Sequence, residues 1–262
     1  MQKRPQPLSV RDVGELLARS PRARDAILVG GQALNVWAVY FGLLPHAAAV
    51  SNDIDFFGSG EDAIGAGLDW GAEVRTAAMD DHTPNVAIAL LEIEGDRRAI
   101  DFLDSILGVD SAELRRWSSL VRDHEQSFRV MHPLHVLGSQ LENVYGMLKR
   151  RDEDAGEYYV GRVTLAVRVA SSAITELLDG KKTRDALKAA ERIAVIAQSG
   201  PALEAFRRDA IDALEAIPDH GSWPKKFIDP RLVQVRQAVE TGRRKYIVRV
   251  QRRAGRRLLR RQ

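Results

Sequence analysis

Residues 26–57 constrain the fold more than any other stretch of this 262-residue chain. The apolar residues Ala26 to Val29 have the pattern of a core strand, and they are followed at once by Gly30 and Gly31. The next residues, 32–42, have the spacing of a helix. A strand that ends in two glycines and opens into a helix can cradle a phosphate, because backbone N–H groups approach the anion closely and the helix N-terminus is partly positive. We therefore expect Gly30, Gly31 and the Gln32 amide to contact phosphate.

Two aspartates, Asp53 and Asp55, lie on the next expected strand, residues 53–57. Side chains alternate across a strand, so both carboxylates should share one face. Neighbouring carboxylates repel each other unless a hard divalent cation lies between them. A third aspartate, Asp101, lies in the apolar segment 98–103, and Gly95 and Asp96 predict a hairpin that joins this segment to a strand at 85–94. Taken singly, these pieces are also compatible with an ordinary turn and a surface strand.

Together, the two glycines, the Asp53-x-Asp55 pair and Asp101 resemble the signature of the DNA polymerase β-like nucleotidyltransferase superfamily, over residues 24–150. The long spacing between glycines and aspartates is similar to the branch that contains abortive-infection toxins of type IV toxin–antitoxin systems. The resemblance implies an α+β fold, with a nucleotidyltransferase-like mixed β-sheet domain at residues 1–131 and a helical domain at residues 132–262. It also implies two Mg²⁺ or Mn²⁺ ions held by Asp53, Asp55 and Asp101, which would be the catalytic residues.

The activity implied by this resemblance is transfer of a nucleoside monophosphate from an NTP, with release of pyrophosphate. The implied acceptor is an RNA, such as a tRNA 3′ end, or a protein hydroxyl, and a cognate antitoxin is an expected partner. Gln140 stands where the superfamily often has a lysine, and residues 49–52 lack an arginine that often precedes the aspartates. Lys149 and Arg150 are candidate triphosphate ligands, although a solvated helix end is the alternative. These departures keep open a catalytically weak or inactive protein of the same fold that acts as a nucleic-acid-binding or antitoxin-like module.

The C-terminal segment, residues 241–262, holds ten of the 39 Lys and Arg residues and no acid, so the rest of the chain has 29 basic and 36 acidic residues. Such a segment favours RNA binding, and an acidic partner protein or the acidic remainder of the chain is the alternative. Its apolar residues around Ile247 predict a helix that docks on one face. The expected nucleic-acid-binding residues are Arg243, Arg244, Lys245, Arg249, Arg252, Arg253, Arg256 and Arg257.

Several classes of function and location are disfavoured by composition. The chain has no cysteine, which excludes disulfides, thiol catalysis and cysteine metal sites. Residues 26–52 carry no Asp, Glu, Lys or Arg, but Gly30, Asn35 and Pro45 interrupt them, so we expect no membrane span and a cytoplasmic protein. His132 and His135 have the spacing of two metal ligands on a helix, and packing at a helix start is the favoured interpretation.

Overall fold

The computed structural model describes residues 10–43, 54–77, 83–93, 95–123, 126–147 and 156–259. These residues form a mixed α/β structure built on a seven-stranded mixed sheet. The strands are β1 (Ile27–Val29), β2 (Ile54–Phe57), β3 (Glu73–Thr76), β4 (Asn85–Ile93), β5 (Asp96–Leu103), β6 (Ser119–Asp123) and β7 (Gln126–Val130). Their order is β3-β4-β5-β2-β1-β7-β6. Strand β2 is antiparallel to β1 and parallel to β5, and β1 is parallel to β7.

The described part of the chain contains nine α-helices. They are α1 (Val10–Ala18), α2 (Gly30–Tyr40), α3 (Gly60–Trp70), α4 (Ser111–Trp117), α5 (Pro133–Leu141), α6 (Gly156–Asp179), α7 (Thr183–Ile196), α8 (Gly200–Asp209) and α9 (Val233–Leu259). None of the helices in the described ranges is both long and apolar enough to cross a membrane.

The chain divides into two compact units. One comprises Met1–Gln140 and Asp152–Val169 and holds the whole sheet, and the other comprises Leu141–Arg151 and Ala170–Gln262 and holds α7, α8 and α9. The boundary expected from the sequence, between residues 131 and 132, stays a prediction.

One face of the sheet is a tightly packed aromatic core. Phe56 of β2 and Phe102 of β5 are both fully buried, with their ring centroids 5.6 Å apart. Trp70 of α3 covers both rings at 6.4 and 6.3 Å. Each such buried side chain contributes about 1.5–3 kcal/mol through burial, so this contact fixes β2 beside β5.

Helix α3 is bounded by signals that the sequence carries locally. Ser59 and Asp62 form a capping box, in which the Ser59 hydroxyl accepts from the Asp62 N–H at 3.1 Å and the Ser59 N–H donates to the Asp62 carboxylate at 2.7 Å. The helix ends at Gly71, whose φ of +66° is left-handed and favours glycine.

Several local expectations are corrected by the structure. Residues 120–130, which pattern alone predicts as one strand, form the antiparallel pair β6 and β7, in register at Asp123 and Gln126. The amphipathic pattern of residues 201–216 predicts one helix, but the helix ends at Asp209, because Ala210 is left-handed with φ +54° and the Asp212 carboxylate caps a separate 3₁₀ turn, Ala213–Ala216. The sequence also predicts Ser111 as the cap of a helix at 111–117, but Asp110 caps α4 by accepting from the Glu113 N–H at 2.9 Å.

Candidate active site

The site centres on Asp55 and Asp101, which are brought side by side by neighbouring parallel strands. The register between β2 and β5 pairs Asp55 with Asp101, and it pairs the buried Phe56 with Phe102 one residue further on. Paired residues on neighbouring strands project from the same face, so both carboxylates lie on the sheet face opposite the aromatic core. Both aspartates are half-buried. Forty-six positions separate them in the sequence, yet the hydrogen-bonded ladder makes them direct neighbours.

The glycine turn lies against Asp55. Strand β1 pairs Val29 with Asp55, so Gly30 follows immediately beside the carboxylate. Gly30 has a φ of +64°, and a Cβ atom built on it would overlap Asp55 Oδ2 and lie 3.2 Å from Asp55 Cγ. Glycine is therefore required at this position for two reasons: the backbone angle is left-handed, and the carboxylate occupies the space that a side chain would need. This close approach joins the predicted phosphate cradle to the predicted metal ligand.

Helix α2 starts at this turn with its first residues buried. The Gln32 side chain is 0% exposed, and its Oε1 accepts a hydrogen bond from Asn35 Nδ2 at 3.4 Å. Further along the helix, the Trp37 indole donates to the Met131 carbonyl at 2.7 Å and ties α2 to the end of β7. No acid lies in the first turn of α2 itself, but the Asp55 carboxylate of β2 lies against Gly30 and so complements the partial positive charge of the helix N-terminus.

The carboxylates lie at the border between a covered and an open part of their sheet face. At the end of β2, Arg115 of α4 stacks its guanidinium over the Phe57 ring, 4.6 Å from the centroid, and Phe57 shares a face with Asp55. On the β4 side, Ala99 is exposed, and Ile88, which pairs with Asp101, is only half-buried. The apolar residues on both faces of 85–94 predict a central strand, and β4 does lie between β3 and β5, with one face buried and the other half-buried. This half of the face is therefore less covered than the half near Phe57.

Arg115 is a basic residue near the site that sequence reasoning missed. It lies in the last turn of α4 and is exposed. Nothing in the local pattern distinguishes Arg115 from Arg116, because its contact with Phe57 is made between residues 58 positions apart. Arg115 therefore places a cation on the same face of the sheet as Asp55.

His132 and His135 pack at the start of α5. His132 Nδ1 accepts from the Leu134 N–H at 3.3 Å, and its ring packs against Trp117 at 6.0 Å and His135 at 6.1 Å. Burial, with a smaller contribution from His135, lowers the pKa of His132 to about 4. His135 lies 3.9 Å from the Glu113 carboxylate. These contacts favour the packing interpretation over metal binding.

Some predicted site residues lie outside the part of the chain that the structure describes. These are Asp53, Lys149 and Arg150. Within the described ranges, no three His, Asp or Glu side chains are grouped to hold a metal ion. Gln140, which stands where a lysine was expected, is 1% exposed.

The donor atoms of the pair nevertheless suit the implied ion. Carboxylate oxygens are the ligands that Mg²⁺ and Mn²⁺ prefer, and the register of β2 and β5 brings two carboxylates side by side. Asp55 and Asp101 therefore fit two of the three places in the expected ligand set.

The basic C-terminal segment forms most of helix α9, which packs one face on α8. Arg243 is 11% exposed, pairs with Asp212 and lies 3.7 Å over the Phe206 ring. Tyr246 donates to the Glu204 carboxylate at 3.0 Å. Arg244, Lys245, Arg249 and Arg252 are exposed, and Arg253, Arg256 and Arg257 follow on the same helix. The predicted one-sided docking is thus present, and Arg243 belongs to the docked side.

No protein-family model matches the chain, and no curated protein matches it significantly.

Proposed function

We propose that the protein is a metal-dependent nucleotidyltransferase, with the site at Gly30, Asp55 and Asp101. The observation that carries the proposal is the ladder register that pairs Asp55 with Asp101 on one sheet face, directly beside a left-handed glycine at a helix start. This arrangement combines an anion-binding turn with a pair of cation-binding carboxylates, which is what a nucleoside triphosphate and its metal require.

Each group has a distinct task in this proposal. The N–H groups of Gly30 and Gly31 bind the triphosphate. The Gln32 amide, which the sequence predicts to contact phosphate, is fully buried and accepts from Asn35, so we assign it to support of the turn instead. Asp55 and Asp101, together with Asp53, hold Mg²⁺ or Mn²⁺, which when bound neutralises phosphate charge and activates an acceptor hydroxyl. Asp101 accepts the proton of that hydroxyl as it attacks the α-phosphorus and pyrophosphate leaves. The protein's main contribution is positioning and charge neutralisation.

The proposed acceptor is RNA, with a protein hydroxyl as the other class and a toxin or defence role as the biological setting. The exposed basic residues of α9 favour RNA, because they attract a polyanion and repel basic proteins. Lys149, Arg150 and Arg115 are candidates to neutralise the triphosphate.

Label transfer from each α-³²P-labelled NTP tests the proposal, with Mg²⁺ or Mn²⁺ and with total RNA and cell protein as acceptors. Asp55→Asn should abolish the transfer. Glu92→Gln is the matched control, because it removes an exposed carboxylate from the same sheet. Label on RNA or protein that Asp55→Asn removes and Glu92→Gln retains supports the function. Absence of label with every NTP refutes it.

The second candidate is a catalytically inactive nucleic-acid-binding or antitoxin-like protein of the same architecture. Gln140 favours it, because a buried amide replaces the cation expected there. Mn²⁺ binding separates the two, since a catalytic site loses Mn²⁺ affinity in Asp55→Asn and a relic has little affinity to lose.

A further inference from the structure

Helix α9 carries basic residues on two faces, one that packs on its own unit and one that is exposed. Arg243 stacks on Phe206 of α8 and pairs with Asp212, which caps the 3₁₀ turn after α8, and Tyr246 donates to Glu204 of α8 on the same side. Glu204 is itself held by Arg207, whose Nε donates to it at 2.8 Å. These contacts use one side of the helix to fix it on its own unit.

The opposite side of α9 carries Lys245, Arg249 and Arg252, which we name the basic ridge. Their spacing of four and three residues aligns them on one helix face. Lys245 lies about 200° around the helix axis from Arg243, so the ridge points away from α8. All three side chains are exposed, and among the described residues no carboxylate pairs with them.

The acid of α9 pairs with other basic residues and not with those of the basic ridge. Glu240 is the single acid of α9, and it pairs with Arg244 at 3.2 Å and lies 3.9 Å from Arg243. No acid follows it in the chain. The ridge is therefore a row of positive charge on a straight element, and it spans roughly 10 Å at the usual helical rise.

We propose that the basic ridge binds the phosphate backbone of an RNA without regard to base sequence. The rigid, one-sided row of charge matches a regular row of phosphates, and such contacts carry no sequence information. A protein interface would instead be rich in aromatic residues and poor in lysine at its centre, whereas the exposed side of α9 has Val248 as its large apolar residue between 241 and 252. A membrane-surface helix needs an exposed apolar face, and the Tyr246 side of α9 is used for packing.

This inference deepens the proposed function only in naming how the RNA acceptor is held. The ridge and the carboxylate site lie in different compact units, so the RNA-binding inference and the proposed transfer activity can be tested separately. Asp55→Asn should bind RNA as the wild type does, while a ridge variant should lose RNA affinity with its carboxylates intact.

The test is fluorescence anisotropy of the full chain with 20-nucleotide labelled oligo(U) and oligo(A), at stepped salt concentrations. The ridge variant is Lys245→Gln, Arg249→Gln, Arg252→Gln. Its control removes the same charge from three exposed residues of the same unit, as Lys182→Gln, Arg184→Gln, Lys188→Gln. A third variant, Lys245→Arg, Arg249→Lys, Arg252→Lys, keeps the charge.

Three lost phosphate contacts reduce the slope of log affinity against log salt by about 2, which is a loss of about 100-fold in affinity near 0.1 M salt for a single strand. We expect that loss in the ridge variant, a change below about threefold in the control, and wild-type binding when charge is kept. Equal affinity for both oligonucleotides supports contact with the backbone.

Equal losses in the ridge and control variants would overturn the inference, because general charge would then explain binding. Stronger binding of poly-glutamate than of oligo(U) would also overturn the inference, because it would assign the ridge to an acidic protein. Tighter binding of a matched DNA strand than of RNA would overturn it as well. A protein that transfers label but binds RNA normally without the ridge would refute the inference and leave the proposed function standing. RNA binding that depends on the ridge, in a protein that never transfers label, would support the inference and refute the proposed function.

Discussion

Replacing Gly30 by alanine separates two roles of this residue. The φ of +64° disfavours alanine by about 1–2 kcal/mol, since the left-handed conformation brings Cβ against the following carbonyl. The new methyl group would also overlap Asp55 Oδ2. Because that oxygen is at the end of a rotatable side chain, the overlap is relieved by turning the carboxylate away. The main effect beyond backbone strain is therefore a displaced Asp55.

Gly71→Ala is the matched control for this change. Gly71 has nearly the same backbone angle, φ +66°, at the end of α3, but a Cβ atom there would meet nothing within 4 Å. Both variants should lose about 1–2 kcal/mol in urea unfolding. In the label-transfer assay Gly71→Ala should keep wild-type activity, whereas Gly30→Ala should lose about 100-fold or more, since a catalytic group moved by about 1 Å can have that effect.

Equal rates of label transfer in Gly30→Ala and Gly71→Ala would contradict the predicted link between Gly30 and Asp55. The Asp55 carboxylate would then tolerate displacement, and its contact with the turn would have no catalytic meaning. The predicted link also fails if Gly30→Ala unfolds the protein, because the overlap would then be too costly to relieve by rotating one side chain.

Three further predictions concern stability. His132, with a pKa lowered to about 4, binds protons less readily in the folded state than in the unfolded state. The free energy of unfolding should therefore fall by up to about 3 kcal/mol from pH 6.5 to 4, and His132→Gln should flatten that dependence in urea unfolding at stepped pH. The hydrogen bond from Arg207 holds the pKa of Glu204 below its ordinary value, so the stabilisation from ionised Glu204 is present above that value and lost as pH falls. Glu204→Gln should lower the free energy of unfolding by about 1–3 kcal/mol at pH 7, and its difference from the wild type should narrow below about pH 4. The control Glu215→Gln should change the free energy of unfolding little. Phe102→Ala should lower the free energy of unfolding by about 3–5 kcal/mol and the exposed Leu120→Ala by less than about 0.5 kcal/mol, and equal losses would contradict the core described here.

Local signals in the sequence predicted much of this fold. The strand before Gly30, the hairpin that turns at Gly95 and the one-sided docking of α9 depend on residues close together in the chain, so pattern was enough. The hairpin pairs the strand of Asp101 with β4, and the register between β2 and β5 puts Asp101 in the same sheet as Asp55.

Other features depended on contacts that a local pattern does not contain. The reversal at Asp123 within a continuous β pattern and the break at Ala210 in a helical pattern were missed, because tertiary packing overrode the local propensity. Arg115 beside Phe57 and the division of the basic residues into Arg243 and an outward ridge are consequences of packing as well. Lys149 and Arg150 lie outside the described residues, so their expected roles stay predictions.

Pre-steady-state transfer rates of four proteins test most directly whether Asp55 and Asp101 act as one catalytic unit. These are the wild type, Asp55→Asn, Asp101→Asn and the double variant, each checked for cooperative unfolding, with Glu92→Gln as the charge control. We expect each single variant to lose at least about 100-fold and the double variant to lose little more, because residues that act together are strongly non-additive. A wild-type rate in either single variant, or an equal loss in Glu92→Gln, would contradict the proposed site.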